Sequence, residues 1–160
     1  MFRVATMALA MIFALVFAPN ASAKRVALVI GINNYDNLGP QLQLRKALND
    51  ARAVSAAFKE IGFQVVAAEN TQRNDFLRAW QKFLDLIQPG DVTALYFAGH
   101  GFEINGTNYL LVRDAPQVAD GEDVLRESAI RFGSLMDRLK DKQAQVSLFF
   151  LDACRDSPYA

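Results

Sequence analysis

Residues 25–31 read Arg-Val-Ala-Leu-Val-Ile-Gly, a continuous apolar run closed by a glycine. An apolar run of that length without alternation fits a strand of a parallel sheet covered on both faces. The next stretch carries Asn33, Asn34, Asp36, Asn37, Gly39 and Pro40, which is turn chemistry and places a loop at the carboxyl end of the strand. From 44 to 61 the residues Leu44, Ala47, Leu48, Ala51, Val54, Phe58 and Ile61 recur every three or four positions. That spacing predicts an amphipathic helix, which Gly62 closes.

The same unit recurs downstream. Residues 63–68 (FQVVAA) predict a second strand, and Thr71 or Asn74 can cap a second helix that buries Phe76, Leu77, Trp80, Phe83, Leu84 and Ile87 before Pro89-Gly90 ends it. Residues 92–98 (VTALYFA) predict a third strand, interrupted by Gly99-His100-Gly101. Residues 102–112 alternate about Asn105-Gly106, the signature of a two-residue hairpin turn. The polar, acidic stretch 113–127 reads as a surface loop. A third helix is predicted over 131–140 with Phe132, Leu135, Met136 and Leu139 inward, then a fourth strand over 147–152 leading to Ala153-Cys154.

Strand alternating with helix implies right-handed crossovers, hence an α/β fold: a three-layer sandwich around a mainly parallel sheet. Leu148, Phe149, Phe150 and Leu151 are apolar without alternation, as suits a sheet interior, yet only six residues follow Cys154. A long apolar edge invites association. The expectation is that residues 1–160 form the N-terminal part of a longer protein, or that a partner supplies further strands.

At 160 residues, 52% of them apolar, the chain can build one domain with a substantial core. Seventeen basic residues against seventeen acidic ones leave no global positive field for a nucleic acid or an anionic membrane. One Cys and one His exclude a disulfide framework and a Cys/His zinc site. Residues 1–23 read as a signal peptide: Arg3 is a positive start, residues 4–17 an apolar core, and Ala21-Ser22-Ala23 a small-x-small cleavage site. The run is shorter than the roughly 20 residues a membrane span needs. Cleavage after Ala23 would export a domain of residues 24–160 to the periplasm or the medium.

Ligands in open parallel sheets gather at the carboxyl ends of the strands, and both singletons stand there. His100 follows the third strand and Cys154 the fourth. If the two strands are neighbours about 4.8 Å apart, imidazole and thiol emerge side by side. The chemistry needs this pairing, because a free thiol is only a few per cent thiolate at pH 7 and an imidazole takes its proton or stabilises the anion. The amides of Gly101 and Cys154 are candidate oxyanion-hole donors, and the flanking glycines leave room for a substrate backbone. Taken singly, Cys154 reads more readily as a small buried hydrophobe than as a nucleophile, and His100 as readily as a loop residue as a catalyst. It is their order, His100 preceding Cys154 by 54 residues at equivalent strand ends, that points to a Cys/His pair.

With RVALVIGINNY, LRKALNDAR, YFAGHG, NYLL and LFFLDACRD in this order over residues 25–160, the chain resembles the caspase-like cysteine peptidases, in particular their bacterial metacaspase type. The resemblance implies His100 as general base, Cys154 as nucleophile, and the Gly101 and Cys154 amides as the oxyanion hole. It further implies that Asp50 and Asp152 line an S1 pocket for Arg or Lys, so that the partner is a peptide or protein with a basic P1 residue. A carboxylate two positions before the nucleophile favours a cationic side chain on physical grounds as well. The competing placements are Asp152 in solvent or paired with Arg155, and Asp50 on a solvated helix face beside Arg52. The family domain normally continues with two further strands. The acidic loop around Asp120, Glu122 and Asp123 lacks ligand spacing for calcium, so no metal and no cofactor are predicted. The alternative function is an inactive caspase-like binding or regulatory module. A nucleotide-binding flavodoxin-like domain and a serine hydrolase lack their glycine-rich and GxSxG motifs.

Overall fold

The computed structural model describes residues 23–154; residues 1–22 of the predicted signal peptide and Arg155 lie outside the described residues. The chain runs β1 (Arg25–Gly31), α1 (Ala47–Glu60), β2 (Gln64–Glu69), α2 (Arg73–Leu86), β3 (Val92–Ile104), β4 (Thr107–Leu110), α3 (Glu122–Ser128), β5 (Ile130–Arg131), α4 (Phe132–Lys140) and β6 (Val146–Cys154). Strand order is β2-β1-β3-β4-β5, with β6 also on β3. β1, β2, β3 and β6 run parallel to one another, while β4 and β5 form an antiparallel extension on the far end of β3.

β1 is buried from Val26 to Gly31 because both sheet faces are covered. On one face Val29, Tyr96 and Ala98 pack with Ala47 and Ala51 of α1. On the other, Leu28, Ile30, Leu95 and Phe97 join Phe76, Trp80 and Phe83 of α2 and Leu135 and Leu139 of α4. This is the three-layer α/β sandwich that the alternating pattern predicts.

The helix–sheet contact is closest at Gly31. A Cβ there would lie 2.7 Å from the Ala47 carbonyl oxygen and 2.7 Å from the Ala51 Cβ. Overpacking of this kind costs about 1–3 kcal/mol, so Gly31→Ala is expected to lower the melting temperature measurably in calorimetry, and an unchanged transition would refute the close packing.

Several expectations need correction. The third strand does not break at Gly99-His100-Gly101: β3 continues to Ile104, because the segment is held by ladder partners, Gly99 by Ala153 and Gly101 by Leu110. The stretch 113–127 is no plain loop but carries a 3-10 turn, set by a capping box between Gln117 and Asp120, and α3, whose one buried residue is Leu125. A single buried residue leaves no periodic stripe to read. Neither Thr71 nor Asn74 caps α2; the N-cap is Gln72 without a side-chain bond. α1 begins at Ala47, its N-terminus instead capped from the loop before it, where the Asn33 side-chain oxygen accepts from Leu48 N–H at 3.2 Å. Met136 and Ile61 are exposed, not inward.

Among the described residues β6 pairs with β3 only, and Leu148, Phe150 and Leu151 stand about 40% exposed along it. The strand expected in the sheet interior is thus an edge here.

Candidate active site

The site is assembled at the carboxyl ends of β1 and β6, where β3 passes from its pairing with β6 to its pairing with β4. In the parallel ladder between β3 and β6 the last paired residues are His100 and Cys154, so the backbones of the two candidate residues stand opposite one another on adjacent strands. Cys154 is described by its backbone; the expectation for the thiol, like that for Arg155, lies outside the described residues.

His100 is held by the loop that follows β1. Its backbone N–H donates to the Tyr35 hydroxyl at 2.7 Å, and the two rings lie 4.8 Å apart. Its Nε2 is 2.7 Å from the Leu42 carbonyl oxygen. A carbonyl can only accept, so Nε2 carries the hydrogen and Nδ1 keeps the lone pair. The space beside Gly99, expected to admit a substrate, is already taken: a Cβ there would meet the Phe97 ring at 2.8 Å and the Tyr35 hydroxyl at 2.9 Å.

Gln43 folds this loop. Its amide nitrogen donates to the carbonyls of Tyr35 (2.9 Å) and Leu38 (2.8 Å), while its oxygen accepts from Tyr35 N–H at 2.8 Å. Asn70, in the left-handed region at φ 46°, accepts from the Asn33 and Asn34 amides and donates its own N–H to the Gly31 carbonyl. Arg113 pairs with Asp36 at 2.8 Å. These contacts fix Tyr35 and the Leu42 carbonyl against His100.

Asp152 and Asp50 converge on Tyr96. The Tyr96 hydroxyl donates to Asp152 at 3.3 Å. Burial first, then the Asp152 charge and hydrogen bond and the Asp50 charge, push the phenol up to about 12. Arg52, the neighbour that might have neutralised Asp50, instead grips Glu69 with bonds of 2.8 and 2.6 Å, and that hydrogen bond holds the Glu69 carboxyl below its usual value. Among the described residues neither Asp50 nor Asp152 has a cationic partner.

The raised Tyr96 phenol has a pH consequence. The unfolded chain loses this proton near pH 10 and the folded chain near 12, so stability held below pH 10 declines as pH rises towards 12. Urea unfolding at pH 9 and pH 11 should show a smaller loss for Tyr96→Phe than for the parent; equal losses would refute the linkage.

The Gly101 backbone lies beyond the His100 rung. His100 uses its N–H on Tyr35 and its carbonyl on Leu111, and backbone groups alternate along a strand, so the Gly101 N–H turns to the opposite edge, that of β6. Gly101 and Ala153 line one cleft of about 320 Å³ with Phe102, Tyr109, Phe132 and Leu151. Tyr35, Leu42, Gln43 and Tyr96 were not singled out by sequence reasoning. The only signal for the first three was the turn-rich loop at the end of β1.

Comparison with known proteins identifies the family. Residues 24–159 match the family model of the caspase domain. Human mucosa-associated lymphoid tissue lymphoma translocation protein 1 is 28% identical over 131 residues, covering 82% of this chain and 15% of that protein. The paracaspase of Dictyostelium discoideum is 25% identical over 142 residues, 85% of this chain and 32% of its own length. Metacaspase-1A of Neurospora crassa is 31% identical over 101 residues, 56% and 22% respectively. The chain thus spans less than a third of the length of these relatives. A crystal structure of a protein from Geobacter sulfurreducens shares the fold, with a TM-score of 0.60 and 23% identity over 82% of this chain and 50% of that one. A family match from Lys24 to Tyr159, on a sheet that pairs His100 with Cys154, means that this chain belongs to the caspase-domain peptidase family.

Proposed function

We propose that the chain is an exported cysteine endopeptidase that cleaves after Arg or Lys. The observation that carries this reading is the pairing of His100 with Cys154 on the last rung between β3 and β6. In the proposed reaction the Cys154 thiol gives its proton to Nδ1 of His100, the nitrogen left free by the Leu42 contact. The thiolate attacks the scissile carbonyl, and the tetrahedral intermediate collapses to a thioester as the imidazolium protonates the departing amine. Water, deprotonated by the same imidazole, then releases the acid and regenerates the thiol.

The Gly101 and Cys154 amides are the proposed oxyanion donors. Because a ladder engages backbone amides, this role requires the His100–Cys154 rung to open when the substrate carbonyl enters. Support for a basic P1 residue comes from Asp50 and Asp152, two carboxylates turned on one phenol with no described cation between them. Support for export comes from residues 1–23, with their positive start, apolar run and small-x-small site. On the same reading the exposed edge of β6 receives further strands, from a continuation of the chain or a partner; its exposed Leu148, Phe150 and Leu151 support this.

The test is hydrolysis of fluorogenic peptides ending in Arg, Lys or Asp by the full-length protein. Release after Arg or Lys is the expected result; release after Asp alone would overturn the specificity, and no release from any of them the activity. Gln43 acts in this scheme as a positioning residue. Gln43→Ala is expected to lower kcat about tenfold with KM little changed, since it loosens the loop that orients His100 without touching substrate. A rise in KM with kcat intact would contradict that role.

A further inference from the structure

A second cleft lies away from the His100–Cys154 rung, between α2, α3 and the start of α4, with a volume of about 280 Å³. Four arginines line it: Arg73 opens α2, Arg126 lies on α3, Arg131 on β5 and Arg138 on α4. The only acidic residue of the lining is Glu127. In a chain with equal numbers of acidic and basic residues this is a local concentration of positive charge that the composition does not announce.

The cations differ in how far they are already engaged. Arg126 is paired with Asp123 and Glu122, and Arg138 reaches Gln81 at 3.3 Å. The guanidinium groups of Arg73 and Arg131 have no carboxylate or side-chain acceptor among the described residues, while the Arg73 backbone N–H donates to Asp114 at 2.8 Å. Two guanidinium groups on one cleft, neither in an ion pair, retain their forked donors for a ligand.

Two further features belong to the same place. The nine-residue helix α4 starts in the cleft, at Arg131 and Ser134; its N-cap makes no side-chain bond and its first turn holds no acid. Its first amides and the positive end of its dipole are therefore uncompensated by side chains. Trp80, 1% exposed, also lines the cleft, and its indole nitrogen is a buried donor without a hydrogen-bond partner. Unsatisfied buried donors are uncommon in folded proteins. Forked cations and an open helix N-terminus are donors, and together they match a compact oxyanion with several acceptor oxygens.

We propose that this cleft binds a phosphomonoester dianion, held by Arg73 and Arg131 at the amino end of α4. The proposal does not depend on the peptidase chemistry, and its test uses no peptide substrate. Trp80 is the only tryptophan in the chain, so its fluorescence reports on the cleft directly. Inorganic phosphate is titrated into the full chain at constant ionic strength, with sodium chloride as the balancing salt. The expected result is a saturable change in Trp80 emission that chloride does not reproduce, with affinity at least tenfold weaker in Arg73→Gln/Arg131→Gln. No saturable change, or undiminished affinity in the double variant, would overturn the proposal. If the double variant folds poorly, Arg131→Gln alone serves, read as the phosphate-minus-chloride difference in melting temperature; it should shrink relative to the parent, and an equal difference would count against the site. Calorimetry with phenyl phosphate and with a phosphoseryl peptide separates a free small phosphate from a phosphorylated segment by which binds more tightly, whereas binding of neither refutes the assignment.

Discussion

Cys154→Ala is expected to reduce hydrolysis of a peptidyl-arginyl amide to background, and His100→Ala to lower kcat by about two to four decades, the usual worth of positioned acid-base catalysis. The two effects differ in origin. Without the sulfur there is no thioester route at all. Without the imidazole the sulfur persists, but near pH 7 only a few per cent of an unassisted thiol is ionised, and the leaving amine must depart without a proton donor. Combining the two substitutions should cost little more than Cys154→Ala alone, since the residues act as a unit. Iodoacetamide labelling supplies a second readout: Cys154 should react faster than free cysteine at neutral pH in the parent and slow down in His100→Ala. Full activity in Cys154→Ala would remove the nucleophile assignment, and labelling indifferent to His100 would remove the dyad. Circular dichroism is the control for folding, and His100 deserves that care, because its ring packs on Tyr35.

The second large effect is expected at the acidic pair. Asp152→Asn and Asp50→Asn should each lower kcat/KM for an arginyl substrate, Asp152→Asn by about a hundredfold, in keeping with the roughly 1.5–3 kcal/mol of a hydrogen bond to a charged group. Asp152 is expected to dominate, because it stands two residues before Cys154 and is itself bonded to Tyr96, whereas Asp50 reaches the place only through its field. Both carboxylates are exposed, so raising the salt concentration should weaken the arginine preference of the parent and leave the Asn variants less affected. An arginine-to-aspartate selectivity ratio unchanged in Asp152→Asn would refute the S1 role.

How much of this could be read from the chain itself differs from feature to feature. β1 was legible because a buried parallel strand is apolar at every position, and α2 because Phe76, Trp80, Phe83 and Leu84 repeat at helical spacing and are all buried. The hairpin was legible because Asn105 and Gly106 both take positive φ, 50° and 76°, as a type I′ turn requires. α3 was not, since one buried leucine carries no period. The continuation of β3 through Gly99-His100-Gly101 was not either: glycines read locally as breaks, and only the partners on either side hold them extended.

At the site, the residue types and their places on the strands came from the sequence alone. Apolar runs located the buried parts of the parallel strands, and the lone His and Cys fell just beyond those runs, although β3 itself continues to Ile104. What the sequence could not determine is who holds them. Tyr35 meets His100 across 65 residues of chain and Leu42 across 58, while Arg52 turns to Glu69, 17 residues on, and leaves Asp50 without it. Local periodicity reports only which face of an element is buried. Contacts between elements depend on register and crossover geometry, which the whole packed sheet sets at once.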